Sequence, residues 1–276
     1  MQSRTLLQRA AAAPHIVWSV LFILAPLAFV FFYAFTDAEG AFTFANIAQL
    51  FEPNYRTVFL RSIAFAMIAT LVCLVIAYPI AYSISWAKPK TQRFLIMLIM
   101  LPMWMNFLIR TYAWMAILEN NGIINRFLGL FGIEPLAMIN TPFAVILGMV
   151  YNFLPYMILP IYTVVAKLDP RVIEAAADLG CTPLQTLYKV VLPMSLSGVL
   201  SGVTMVFVPS VSTFYISQKL GGGKYDMVGD TIERQFQSAY NYNLGAAMSL
   251  VLMALIVLSM LLLGRVSASE EGQVLV

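Results

Sequence analysis

Residues 16–35 read IVWSVLFILAPLAFVFFYAF, twenty positions without a charged side chain. A helix of about 20 apolar residues is long enough to cross the hydrocarbon core of a bilayer. The run is longer than the roughly 7–15 apolar residues of a signal peptide, and no clear small-residue cleavage site follows it. This segment therefore predicts a membrane-spanning helix.

Five further apolar stretches of similar length follow. Of the 276 residues, 61% are hydrophobic and 11% are charged, whereas a soluble domain carries about 25% charged residues. The sequence thus predicts an all-α integral membrane protein with six transmembrane helices in a domain at 16–264, between tails at 1–15 and 265–276. The predicted spans are 16–36, 63–86, 94–118, 142–164, 194–216 and 244–264.

The sequence contains no group of residues typical of a catalytic or metal site. Cys73 lies in an apolar run and Cys181 in a polar loop, so we expect no disulfide, and the single histidine, His15, lies near the N-terminus. There is no Gly-x-x-x-x-Gly-Lys-[Ser/Thr] phosphate-binding loop. We therefore expect no enzyme activity and no bound cofactor. The net charge of +3 is scattered, which argues against nucleic acid as a partner.

The basic residues predict the orientation, because cytoplasmic loops carry an excess of Lys and Arg. With six spans, both termini lie on the same side as the loops near 87–93 and 165–193. That side collects nine basic residues and the other side six, so both termini are expected in the cytoplasm. The nine are Arg4, Arg9, Lys88, Lys90, Arg93, Lys167, Arg171, Lys189 and Arg265, and the six are Arg56, Arg61, Arg126, Lys219, Lys224 and Arg234.

The loop at 167–193 is polar but carries strong helix signals. Asp169-Pro170 is typical of a helix start, and Gly180 of a helix end. Thr182 and Gln185 have the spacing of a capping box for a second short helix. Two capped helices on the membrane surface predict a rigid knob that can transmit force to a partner.

The same loop carries a long motif. Glu174-Ala175-Ala176 is followed by three residues, Gly180, nine residues, Val190, one residue and Leu192-Pro193. This order resembles the EAA motif of bacterial ABC-importer permeases, with valine where isoleucine is usual. The resemblance implies a type I ABC-importer permease (MetI-like) architecture, in which this cytoplasmic coupling helix docks on an ATP-hydrolysing subunit. It implies coupling roles for Glu174, Ala175, Ala176, Gly180, Leu192 and Pro193.

From about residue 46 to 265 the chain also resembles the spermidine/putrescine permeases of such importers. The resemblance implies transport of polyamines across the bacterial cytoplasmic membrane. It implies a second related permease subunit, two ATP-hydrolysing subunits that hold ATP and Mg, and an external polyamine-binding protein. The matching stretches are 101–102 and 106–112 (LP and NFLIRTY), 121–125 (NGIIN), 151–156 (YNFLPY) and 220–224 (LGGGK).

Arg110 is the one clear charge deep in a predicted span. A central arginine costs about 2.5–3.5 kcal/mol on insertion scales, so its side chain is expected to face protein or water. Two interpretations stay open: a residue of the transport path or its gate, and a structural partner for a neighbouring helix, a carbonyl or the second permease. A fixed cation is an awkward ligand for a polyamine, which favours a structural or gating role.

Aromatic and polar side chains are concentrated near Arg110. An aromatic face attracts an organic cation by about 0.5–2 kcal/mol, which suits a weakly held polyamine. The competing interpretation is the aromatic belt found at membrane interfaces. The candidate path residues, besides Arg110, are Trp104, Asn106, Tyr112, Trp114, Tyr151, Asn152, Tyr156, Ser210, Ser212 and Tyr215.

Other functions remain as alternatives. The same class of transporter could carry another small organic solute. An ion-coupled carrier is disfavoured because the apolar spans hold no carboxylate for proton or sodium coupling. A membrane enzyme is disfavoured because no catalytic set can be built around His15 alone.

Overall fold

The computed structural model describes residues 14–273, with side chains through Arg265. The predicted tail positions 1–13 and 274–276 lie outside the described residues. The described backbone is helical throughout, apart from turns and one antiparallel bridge between Thr36 and Phe42. The helices are Pro14–Ala34, Ala45–Gln49, Pro53–Ser85, Pro89–Trp104, Phe107–Leu118, Ile123–Gly129, Pro142–Val165, Pro170–Asp178, Pro183–Met194, Leu196–Ser212, Tyr215–Leu220, Val228–Gln237 and Tyr242–Gln273.

Four helices are long and apolar enough to cross a membrane without interruption: Pro14–Ala34, Pro53–Ser85, Pro142–Val165 and Tyr242–Arg265. They confirm four of the predicted spans. Their ends differ from the prediction where polar residues continue the helix beyond the apolar stretch. The helix predicted to begin at 63 begins at Pro53, and the helix predicted to end at 264 continues to Gln273.

The predicted span 94–118 is not one straight helix. It consists of two segments that are bent by 91° relative to each other. The first is the helix Pro89–Trp104, and the second, Phe107–Gly129, contains the helices Phe107–Leu118 and Ile123–Gly129. Met105 adopts an extended conformation (ψ 145°), and the side chain of Asn106 caps the next helix. Pro102 lies inside the first helix near its end and weakens the last turns, because it has no N–H to bond to the carbonyl four residues earlier. The bend was missed because hydropathy carries no information on helix direction.

The predicted span 194–216 is also divided. Pro183–Met194 and Leu196–Ser212 are bent by 70°, and the second helix ends at Ser212 because Thr213 is extended (ψ 144°). With each bent pair counted as one span, the described chain has up to six spans. Proline elsewhere, as at Pro79 and Pro155, is accommodated inside continuous helices, as is common in membrane proteins.

The chain forms two compact units. One contains the residues up to Thr57 together with Thr231–Leu255. Within it, the side-chain amide of Asn243 donates to the carbonyl of Thr36 at 2.6 Å, and that of Asn46 donates to the same carbonyl at 2.8 Å. These amides satisfy the backbone just after the first helix, where helical partners run out.

The other unit contains Val58–Asp230 and the residues from Ile256 onward. Its centre is the helix Pro142–Val165, whose Met149, Met157 and Ile161 are fully buried. The helix Leu196–Ser212 packs closely on it through two glycines. A Cβ at Gly198 would lie 2.9 Å from the Pro160 carbonyl, and one at Gly202 would lie 2.7 Å from the Met157 sulfur. Such spacing of small residues allows membrane helices to approach closely.

Candidate functional site

The first helix of the loop at 167–193, the coupling helix, runs Pro170–Asp178. Its start is fixed by Asp169, whose carboxylate Oδ1 accepts a hydrogen bond from the Arg171 N–H at 3.0 Å. Pro170 occupies the first turn, where its missing N–H costs nothing. The predicted helix start is confirmed.

Gly180 ends the coupling helix in a left-handed conformation, with φ +81°. Its N–H donates to the Ala177 carbonyl at 2.9 Å, and the N–H of Cys181 donates to the Ala176 carbonyl at 3.0 Å. This pair of bonds is the Schellman motif, which favours glycine because other residues are strained at positive φ. A Cβ at this position would meet nothing within 4 Å, so the backbone angle and not crowding requires glycine within this chain.

The second helix begins with the predicted capping box. The Gln185 N–H donates to the Thr182 hydroxyl at 3.3 Å, and the Thr182 N–H donates to the Gln185 side-chain carbonyl at 2.9 Å. The helix widens to a π-helical turn at Leu187–Val191 and continues to Met194. The two capping-box bonds join residues three apart, and the bonds of the π-helical turn join residues five apart, so the loop is held by local bonds.

The loop packs against the core of the compact unit to which it belongs. Ala176 is 6% exposed, and Ile173 and Leu187 pack against the core. At the bend that follows, the buried hydroxyl of Ser195 forms a hydrogen bond of 2.9 Å with the hydroxyl of Tyr78. The loop therefore packs against the core, and the bend that follows it is hydrogen-bonded to the helix Pro53–Ser85.

The predicted coupling residues divide into two groups. Glu174, Ala175 and Gly180 are exposed, as is Pro193. Ala176 is buried and Leu192 half-buried, so within this chain they act in packing.

The same loop exposes further large apolar side chains that were not predicted as site residues, of which three are the most exposed. Leu179 is 86% exposed, Leu184 65% and Tyr188 62%. The available signal was the presence of large apolar residues in a segment that is otherwise polar. These three side chains and the exposed predicted residues are here called the docking surface, and none of them is buried by the rest of the described unit.

The aromatic candidates begin at the 91° bend. Asn106 is exposed, and its side-chain carbonyl accepts from the Leu108 N–H at 2.8 Å. It therefore caps the helix Phe107–Leu118. Trp104 is 77% exposed and lies before the bend. Neither residue is brought into the cluster of rings formed after the bend.

Arg110 is buried, with 8% of its side chain exposed. Its guanidinium carbon lies 5.9 Å from the centroid of the Phe107 ring. Among the described residues, Nε and Nη1 have no hydrogen-bond partner. The side chain faces protein rather than lipid, as expected.

Two aromatic pairs lie along the same helix. Tyr112 and Tyr215 meet edge to face with centroids 6.2 Å apart, and Trp114 and Tyr151 meet at 5.3 Å. Phe107, which sequence analysis did not single out, also contacts Tyr215 at 6.1 Å. The structure thus brings together four of the predicted aromatic residues in two pairs. The predicted Tyr156 pairs instead with Phe153, at 6.4 Å.

Two predicted polar residues are buried in the centre of the unit. The Asn152 amide donates to the Gly148 carbonyl at 2.8 Å. Its carbonyl oxygen and the Ser210 hydroxyl have no partner among the described residues. Together with Arg110 they leave polar atoms available for a ligand, water or another subunit.

A cavity of about 320 Å³ lies where the broken helices meet. Its walls are mainly apolar and aromatic with three hydroxyl-bearing side chains, a composition typical of pockets for small organic molecules. It is lined by Phe107, Leu108, Phe153, Ser212, Thr213, Phe214 and Tyr215. No cluster of three or more His, Cys, Asp or Glu side chains suited to a metal ion occurs in the described part of the chain.

Comparison with known proteins agrees with this architecture. The chain is 38% identical over 261 residues, 91% of each chain, to the spermidine/putrescine transport system permease protein PotB of Haemophilus influenzae. It is 36% identical to the protein of the same name from Escherichia coli K12, over 91% of this chain and 94% of the relative. It is 31% identical to the E. coli inner membrane ABC transporter permease protein YdcU, over 87% and 82% of the two chains.

Solved structures share the fold at low sequence identity. A bacterial alginate ABC transporter, in complex with an alginate pentasaccharide-bound periplasmic protein, contains a chain that superposes with a TM-score of 0.82 at 15% identity, covering 96% of this chain and 95% of that one. The MetNI methionine ABC transporter superposes with a TM-score of 0.57 at 17% identity, over 78% and 94%. The predicted type I importer architecture is thereby confirmed.

The family described as "binding-protein-dependent transport system inner membrane component" matches residues 4–269. In such systems ATP is hydrolysed by a separate subunit, in agreement with the missing phosphate-binding loop. The chain belongs to this family, and is a multi-pass inner-membrane permease of a bacterial ABC importer, as its Glu-Ala-Ala motif predicts.

Proposed function

We propose that this chain forms part of the path by which polyamines such as spermidine and putrescine enter the bacterial cytoplasm. The observation that carries the proposal is its 38% identity, over 91% of each chain, to a spermidine/putrescine permease. The paired rings near Arg110 support it, since aromatic faces attract organic cations. The cavity beside them is of a size suited to a small organic ligand.

The path is proposed to be shared with a second, related permease subunit. Tyr112 is 49% exposed on the single chain. Several apolar side chains of the helix Pro14–Ala34 are also exposed. Two ATP-hydrolysing subunits and an external polyamine-binding protein complete the proposed importer. Family membership supports the separate ATPase and the external binding protein.

The loop at 167–193 is proposed to dock on the ATPase through its docking surface. Glu174 offers a carboxylate to a basic group, and the exposed Ala175 and Gly180 allow close approach. The caps at Asp169 and Thr182 support this role, because a locally rigid element moves as one piece when its partner moves. Ala176 is buried and is proposed to contribute by packing the coupling helix against its own chain.

Both termini are proposed to lie in the cytoplasm, around a membrane domain at 16–264. The nine-to-six distribution of basic residues supports this orientation. The tail proposed for 265–276 begins as a continuation of the last helix, which extends to Gln273.

The test is to co-express this chain with its neighbouring permease and ATPase subunits, reconstitute them in liposomes with the external binding protein, and measure ATP hydrolysis. We expect spermidine or putrescine to stimulate hydrolysis. Substitution of Glu174, or of Gly180 by a residue that does not adopt its left-handed conformation, should remove the stimulation. Hydrolysis that is unaffected by either polyamine would overturn the substrate assignment. If no ATPase subunit assembles with this chain, the proposed coupling role is overturned.

A further inference from the structure

Lys219 places a primary ammonium group against the paired tyrosines. Its Nζ lies 5.8 Å from the centroid of the Tyr112 ring and 5.6 Å from that of the Tyr215 ring. Both distances fall within the roughly 6 Å over which a ring face attracts a cation. The two rings lie 6.2 Å apart at 83°, so one ammonium is shared between them.

The site is assembled from two helices. Lys219 and Tyr215 are four residues apart in Tyr215–Leu220, the spacing that brings side chains together on a helix face. Tyr112 comes from Phe107–Leu118, which begins at the 91° bend. The ammonium site therefore depends on how these two helices pack.

The site is open on one side and adjoins the cavity. Tyr112 is 49% exposed, and Lys219 and Tyr215 are half-buried. Tyr215 also lines the cavity of about 320 Å³. A ligand in the cavity can thus reach the ring that Lys219 contacts.

We propose that Lys219 is a tethered competitor of the substrate: its ammonium occupies the Tyr112–Tyr215 site and leaves when an ammonium group of the cargo binds there. The inference rests on the proposed function, because a polyamine presents the same group on an aliphatic chain as the lysine side chain does. Two ammonium groups exclude each other from the site, since both cannot fill the same space between the two rings and their like charges repel at contact distance.

This competition changes the apparent dissociation constant of the cargo, which can be measured. When a binding site is free for only part of the time, the apparent dissociation constant rises by the inverse of that fraction. If Lys219 fills the site for about nine-tenths of the time, its removal lowers the dissociation constant by about tenfold. In the intact protein the lysine keeps binding weak, so that the cargo can move on.

The experiment measures radiolabelled spermidine binding to the purified assembly of this chain with its permease and ATPase partners, without nucleotide and without the external binding protein. Lys219→Met keeps an unbranched side chain of similar length and removes the charge. We expect the dissociation constant of spermidine for this variant to fall by about tenfold. Lys219→Arg retains a cation and should bind as the wild type does. Lys224→Met removes an exposed lysine of the same segment and is the matched control. Unchanged or weaker binding by Lys219→Met would overturn the proposal.

A second readout does not depend on polyamines. Amine acetylation followed by mass spectrometry should label Lys219 more slowly than Lys224, and Tyr112→Leu should remove the difference while Tyr112→Phe keeps it. If an active assembly binds no polyamine but Lys219 is protected in this way, the substrate assignment fails and the ammonium site stands. Equal labelling of the two lysines in the wild-type protein would overturn the ammonium site itself.

Discussion

The loop at 167–193 and the proposed path residues around Arg110 belong to the same compact unit, yet they satisfy their polar groups in opposite ways. In the loop, Asp169, Thr182 and Gln185 bond to backbone within three residues. In the path, buried atoms of Arg110, Asn152 and Ser210 lack partners among the described residues. A buried polar group without a partner is costly. The loop keeps its shape through its own bonds, whereas the residues of the proposed path leave buried polar atoms open to partners outside the described residues.

The largest expected effect tests the rigidity of the loop. Gly180→Val places a β-branched residue at φ +81°, which costs about 1–2 kcal/mol or more. We expect it to abolish polyamine-stimulated ATP hydrolysis in liposomes. Gly132→Val is the matched control, since Gly132 also has positive φ (+72°) and open surroundings but lies outside the loop. Full stimulation in Gly180→Val would show that the turn is dispensable.

A further substitution separates the turn from the surface. Asparagine tolerates the left-handed conformation better than other side chains. Gly180→Asn should therefore retain the turn and most of the stimulation. A folded but uncoupled Gly180→Asn would mean that the partner occupies the open space beside Gly180.

The next largest expected effect concerns the close packing of the helix Leu196–Ser212 against the helix Pro142–Val165. Gly202→Leu would place its Cβ 2.7 Å from the Met157 sulfur, and overpacking of this kind costs about 1–3 kcal/mol. We expect the melting temperature of the purified assembly to fall by several degrees. Gly264→Leu, where nothing lies within 4 Å of the added Cβ, should leave the melting temperature unchanged. Equal melting of the two variants would show that the helices do not pack closely at Gly202.

The docking surface can be weakened without disturbing the fold. Leu179 is 86% exposed, and burying a leucine side chain at an interface is worth about 1.5–3 kcal/mol. Leu179→Ser should therefore raise the ATPase concentration needed for half-maximal assembly by about 10- to 100-fold, with unchanged melting of the permease. Leu130→Ser, at a side chain that is 79% exposed outside the loop, is the control. Unaltered assembly of Leu179→Ser would remove Leu179 from the docking surface.

The smallest effect compares one group from each region. Asp169→Ala removes a helix cap and should destabilise the permease by about 0.5–2 kcal/mol. Arg110→Met removes a buried charge whose Nε and Nη1 lack partners, so thermal stability should be unchanged or raised. Melting curves of the two purified variants decide the matter. A larger loss for Arg110→Met than for Asp169→Ala would show that Arg110 is paired in the assembly.

The sequence predicted what depends on neighbouring residues. The caps at Asp169 and Thr182 and the end at Gly180 were correct because each uses bonds between residues close in the chain. The bends at Met105 and Ser195 were missed, although Asn106 after Pro102 was a signal for the first. The meeting of Tyr112 with Tyr215 and Lys219 could not be predicted, since it depends on packing between distant helices.

Cys181 follows directly after the turn at Gly180 and is half-exposed, while the other cysteine, Cys73, is buried. A thiol-reactive fluorophore should therefore attach at one position, beside the docking surface, without any engineered residue. Its emission would report the arrival and departure of the ATPase in real time. The natural protein thus carries its own labelling position for following coupling in single molecules.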